Sequence, residues 1–121
     1  MSAGVIVGVG LLGGLGAIAR FVLDGAVGRL AGRDFPYGTF VVNLAGAFAL
    51  GLLAGAALTG TTYRLLGTGL IGAFTTFSTW ALESHRLGED GRIRGSLANF
   101  VVSLAFGLLF AWAGRRLGSF L

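Results

Sequence analysis

Four stretches of this 121-residue chain carry no charged side chain, and together they leave little of it over. They run Met1–Ala19, Phe35–Tyr63, Leu65–Leu82 and Gly95–Gly114. A helix rises about 1.5 Å per residue, so roughly 20 residues cross the ~30 Å hydrocarbon core of a bilayer. Each stretch is long enough or nearly so, and the polar intervals between them are short. We therefore expect an all-α membrane protein with a single four-helix transmembrane domain, its spans at about 3–30, 37–58, 63–87 and 95–117. A soluble domain this small would need more than 12% charged residues to cover its surface. A cleaved signal peptide fits the first stretch poorly: it lacks a basic beginning, and its apolar character continues past Arg20.

Nine basic residues stand against five acidic ones, and every basic residue is Arg. They lie between or beside the apolar stretches, which points to lipid headgroups and topology control rather than to nucleic acid. With four spans, Arg64, Arg115 and Arg116 share one side, and Arg29, Arg33, Arg86, Arg92 and Arg94 the other. Such a weak bias suits a protein inserted in both orientations, and equally a small chain with a modest preference. There is no Cys, so disulfide and thiol chemistry are excluded.

Polar groups inside a span are costly unless they find partners. Arg20, with Asp24 one turn later, reads as a salt bridge or a snorkelling side chain, or else as a fixed charge attracting an anion. Asn43 is either interhelical glue or a pore-lining group. Asn99 and Ser103 fall one turn apart, share a face and with Asn43 make a polar line. The third stretch is the most informative: Thr75, Thr76, Ser78 and Thr79 sit inside it, after Gly67, Gly69 and Gly72. These residues weaken helix, so we expect this helix to break near mid-membrane, where irregular backbone survives only if buried or lining a cavity. The alternative is a continuous helix whose hydroxyls bond back to the preceding turn. Phe77 and Trp80 lie three apart, as packing residues or as ring edges an anion can approach. Glu83 reads as interfacial and His85 as solvated. Gly4/Gly8, Gly10/Gly14 and Gly51/Gly55 make small-residue faces for close helix packing, within one subunit or between two.

Taken together, Gly13–Phe21, Gly38-Thr39-Phe40 through Asn43 and Gly46, and Gly72 with Thr75-Thr76-Phe77-Ser78-Thr79 and Glu83 resemble the CrcB/Fluc family of fluoride channels. The resemblance covers nearly the whole chain and rests most on the Thr-Thr-Phe-Ser-Thr run. It implies a dual-topology homodimer, two copies inserted antiparallel, whose broken third helices cross around a structural Na⁺. Carried over by position, Gly72 and Thr75 supply backbone carbonyls to that Na⁺. Arg20 lies in the vestibule, Asn43 donates to the anion, and Phe77 and Trp80 form the pore-facing aromatic pair. Glu83, Ser78, Thr79 and Ser103 match the polar track. Trp80 stands where the family has Phe, so its indole N–H is a further candidate donor, and Asn99 stands where Tyr is expected.

The implied function is passive, fluoride-selective export through the cell membrane, which lowers cytoplasmic fluoride. A series of weak donors suits a small, strongly hydrated anion that must also leave. No Walker-type sequence is present to drive transport. A proton-coupled multidrug exporter would want a carboxylate where Arg20 stands, and a non-transporting assembly subunit has no use for so polar a third span. Nothing resembles an enzyme: no nucleophile–base pair or metal cluster is visible around the single His85.

Overall fold

The computed structural model describes residues 1–121, all organised around helices. Helix α1 spans Ala3–Ala31 and opens on Ser2, whose Oγ accepts the Val5 N–H at 3.2 Å. It closes at Gly32, whose φ of 84° few other residues adopt. Helix α2, Tyr37–Gly55, follows Pro36. It ends at Gly55, not near Leu58, because the N–H groups of residues 56–58 fold back onto Leu52, Ala54 and Leu53. Ala57, at φ 57°, completes that turn.

The third span is wound in pieces. Helix α3 covers residues 60–74: one α-turn at Gly60–Tyr63, wider turns bonded five residues apart over Arg64–Ile71, and a last short piece, Gly72–Phe74. Helix α4 follows at Ser78–Glu89. The exposed turn is therefore shorter than the charged interval 88–94 suggests, since α4 carries through Glu89 and α5 begins at Ile93. Helix α5 runs Ile93–Gly118. Four segments, Ala3–Ala31, Tyr37–Gly55, Gly60–Glu89 and Ile93–Gly118, are long and apolar enough to cross a membrane.

Few residues are buried, 16 of 121, and side chains such as Leu11, Ile18, Leu97 and Leu108 face outward. Lipid solvates those groups as well as a protein interior does, so apolar burial cannot hold the helices together. Close backbone approach does that work. Helices α2 and α5 meet through Gly51 and Gly55 on one side and Gly114 and Gly118 on the other. A Cβ on either of the first two would strike main-chain atoms of Ala111 or Arg115. One on either of the last two would strike the carbonyls of Phe48 or Leu52. The Gly51/Gly55 pair thus serves packing within the subunit. Gly16 of α1 likewise lies against the Leu70 carbonyl of α3.

Gly114→Ala is expected to destabilise the detergent-solubilised protein by about 1–3 kcal/mol, because backbone cannot yield as a side chain can. Gly8→Ala would meet only the tip of the Leu65 side chain and should cost much less. Thermal unfolding of the two variants checks the contrast.

Candidate functional site

Between α3 and α4 the backbone leaves the helical path. Thr75 is extended, with φ −81° and ψ 161°, and helical bonding resumes only at Ser78. A backbone that leaves a helix inside an apolar segment strands its N–H and C=O groups. Asn43 of α2 takes up one residue's pair: its Oδ1 accepts the Thr76 N–H at 2.9 Å, and its Nδ2 donates to the Thr76 carbonyl at 2.8 Å. Thr76 Oγ1 accepts the Thr79 N–H at 3.2 Å and so caps α4. The Thr75 hydroxyl bonds back to Ile71 at 3.3 Å. Gly46 makes room for this, since a Cβ there would collide with the Thr75 methyl.

Asn43 is thus interhelical glue, but its amide is not used up. A carboxamide has two N–H groups, and only one is given to Thr76. Asn43 lines a cavity of about 310 Å³ with Thr75, Phe77 and Trp80, and another of about 200 Å³ with Trp80 and Ser103. The Phe77 and Trp80 rings meet edge to face, centroids 5.3 Å apart and planes at 70°. Trp80 is also stacked on Phe100 at 5.1 Å. Its indole N–H is not free to serve an anion: it donates to the Asn99 carbonyl at 3.0 Å. Phe77 remains 74% exposed on the subunit surface. Ser78 is exposed and lines none of these cavities.

On the other side of the Asn43–Thr76 pair, Arg20, Thr39, Thr76 and Thr79 surround a small space of about 20 Å³, room for a single water-sized species. Asp24 lines it too, yet the Arg20–Asp24 salt bridge that their spacing allows does not form; the one contact between a basic and an acidic side chain is His85–Glu89, on the surface of α4. Arg20 Nε is buried without an acceptor, and Glu83 Oε1 is buried without a donor. Buried unpaired groups of this kind call for water or an ion. Glu83 opens onto a polar cavity of about 210 Å³ lined also by Asp34, Asp90 and the arginines Arg33, Arg86 and Arg92.

The residues proposed for Na⁺ can be judged by their bonding. The carbonyls of Gly72 and Thr75 accept no hydrogen bond, because the Thr76 N–H that a continuous helix would offer to Gly72 goes to Asn43. Neutral, unspent carbonyl oxygens are the donors that a small hard cation requires. No group of three His, Asp or Glu side chains converges anywhere.

Sequence reading missed several participants. Thr39 is buried; it stood in the Gly38-Thr39-Phe40 motif with no role assigned to it. Thr76 contributes chiefly its backbone, which no side-chain pattern reports. Asn99, which its spacing had placed on a polar line with Ser103, proves fully buried and linked to both Trp80 and Ser84. Ser84, one turn from Trp80, gave no sign of a role.

Comparison with known proteins adds to this geometry. A family described as CrcB-like protein, Camphor Resistance (CrcB), matches residues 7–115. A protein of Mycolicibacterium paratuberculosis named fluoride-specific ion channel FluC 2 is 55% identical over 113 residues, 93% of each chain. One of the same name from Mycobacterium tuberculosis is 50% identical over 115 residues, 95% of this chain and 91% of its own. A Geobacter sulfurreducens fluoride-specific ion channel FluC is 44% identical over 114 residues, 90% of this chain and 92% of its own.

If Asn43 holds the Thr76 backbone, Asn43→Ala should speed hydrogen exchange at the Thr76 amide by about tenfold or more, the equivalent of one ordinary hydrogen bond. Amides in the α2–α5 contact should be unaffected. Unchanged protection at Thr76 would mean that the pair contributes nothing.

Proposed function

This chain belongs to the CrcB-like family, and on that premise we propose that it is a fluoride-selective channel through which fluoride leaves the cytoplasm passively. It is a multi-pass membrane protein and not an enzyme. The observation that carries the reading is a pair of unspent donors: the second N–H of Asn43, and the Arg20 Nε–H, buried with no acceptor. Fluoride is small and tightly hydrated, so a path through hydrocarbon must replace its water with donors of moderate strength set in series.

The cavities suggest an order for that series. An anion enters at the polar mouth beside Glu83, where Arg33, Arg86 and Arg92 offset the carboxylates of Asp34, Glu83 and Asp90. It next meets Arg20, Thr39 and Thr79. Asn43 receives it on its free N–H, and the edges of Phe77 and Trp80, with Ser103, line the way onward. Ring edges carry partial positive charge, so they attract an anion without holding it.

One subunit does not complete this arrangement. Phe77 and Ser78 face outward, and the Gly72 and Thr75 carbonyls have no donors. Two copies inserted antiparallel in the inner (plasma) membrane, meeting near mid-membrane at residues 75–77, would cover these groups and build paths along their interface. The nearly balanced arginines fit insertion in both orientations. The Gly72 and Thr75 carbonyls of each copy would hold a central Na⁺, whose charge offsets the dipoles of two helix ends brought together. Lipid contacts the remaining apolar surface.

Purified protein in liposomes should release fluoride rapidly and chloride hardly at all. Release of neither ion would remove the channel reading, and equal release of both would remove selectivity. Asn43→Ala should lower the fluoride rate by about tenfold to a hundredfold, the range expected for losing one hydrogen bond to a charged partner. Chemical cross-linking of the variant should still give a dimer.

A further inference from the structure

We propose that Asn99 is a specificity-determining residue that holds the Ser103 proton against any anion that accepts hydrogen bonds less strongly than fluoride; this rests on the fluoride reading above. Asn99 is fully buried, and its partners dictate which way its amide points. One end lies 3.5 Å from the Trp80 carbonyl and 2.7 Å from Ser84 Oγ. A carbonyl only accepts, so that end is the NH₂ group. Ser84 gives its own proton to the Trp80 carbonyl at 3.0 Å and keeps its lone pairs for Asn99. The amide oxygen is left facing Ser103, whose hydroxyl donates to it at 3.3 Å. Donation therefore runs one way, from Ser103 to Asn99 to Ser84 to the Trp80 backbone.

The direction matters because Ser103 shares its cavity with Asn43 and Trp80. With its proton turned to Asn99, Ser103 shows the cavity lone pairs, which repel an anion. To bind the hydroxyl, an anion must draw that proton away from the amide oxygen. At 3.3 Å the bond is longer than the usual 2.5–3.0 Å of O–H···O bonds, so it yields to a strong competitor. Fluoride is the strongest hydrogen-bond acceptor among the halides and the smallest, and it compensates the amide's loss. Chloride is weaker and larger, and it does not. Selectivity is a difference between affinities, and a built-in competitor enlarges that difference. Trp80 adds to the effect: its indole N–H is given to the Asn99 main chain and its ring is stacked on Phe100, so that proton is also withheld.

The test is Asn99→Leu, close in volume and without the competing oxygen. Its fluoride-over-chloride efflux ratio in liposomes should fall by about tenfold, the factor set by one hydrogen bond of ordinary strength. In a Ser103→Ala background the same substitution should change the ratio little. An unchanged ratio, or an equal fall in both backgrounds, would overturn the proposal, the latter because loosened packing and not the Ser103 proton would be responsible. The unmodified protein supplies a check independent of folding. Asn43 and Asn99 are its only asparagines, so side-chain ¹³C labelling gives two carbonyl resonances, assigned with Ser103→Ala. Fluoride should shift the Asn99 resonance and chloride should not; no shift with fluoride also overturns it. Failure of the unmodified protein to pass fluoride at all would instead strike the underlying channel reading.

Discussion

The arrangement depends on the two hydrogen bonds between the Asn43 carboxamide and the Thr76 backbone. Between α3 and α4 the chain gives up helical bonding inside an otherwise apolar segment. Each unpaired backbone group there would cost about 1–3 kcal/mol or more. A carboxamide has the same donor–acceptor layout as a peptide group, so one side chain meets both needs of one residue. What it leaves unmet is as important. The Gly72 and Thr75 carbonyls stay free, and one Asn43 N–H stays free, so the same stretch of chain holds both the oxygens and the proton that the proposed dimer would use.

Glycine sets where that clamp can form. Gly46 lets Thr75 come up against α2, and Gly16 lets α1 lie on the α3 backbone. Gly51, Gly55, Gly114 and Gly118 bring α2 and α5 together, so Asn43 on α2 and Ser103 on α5 can border one cavity. In lipid this packing replaces the hydrophobic drive of a water-soluble core. The polar residues are therefore positioned by residues that have no side chain.

Much of this could be read from the residues. Uncharged runs of about 20 residues announce four spans, because a single continuous segment in hydrocarbon satisfies its own backbone only as a helix. The hydroxyl-rich run after three glycines marked the third span as unusual. Individual contacts were less legible. The Arg20–Asp24 spacing suits a salt bridge, yet Arg20 turns to the Thr39 and Thr79 cavity instead. The Trp80 indole was a candidate anion donor until its N–H met the Asn99 carbonyl. Both outcomes depend on which helix lies alongside, and local pattern does not encode that. Asn99 shows the same limit: its spacing to Ser103 placed the two on one face, but its bond to Ser84 arises only from the packing of α4 on α5.

The proposed dimer requires two such interruptions to meet, each from a copy inserted opposite to the other. The absence of cysteine makes this directly measurable, since a Ser2→Cys thiol is the only one in the protein. Sealed vesicles are treated with a membrane-impermeant maleimide, before and after permeabilisation. Comparable fractions of the thiol should lie on each face of the membrane. Labelling of the whole population from one face alone would contradict the antiparallel pair.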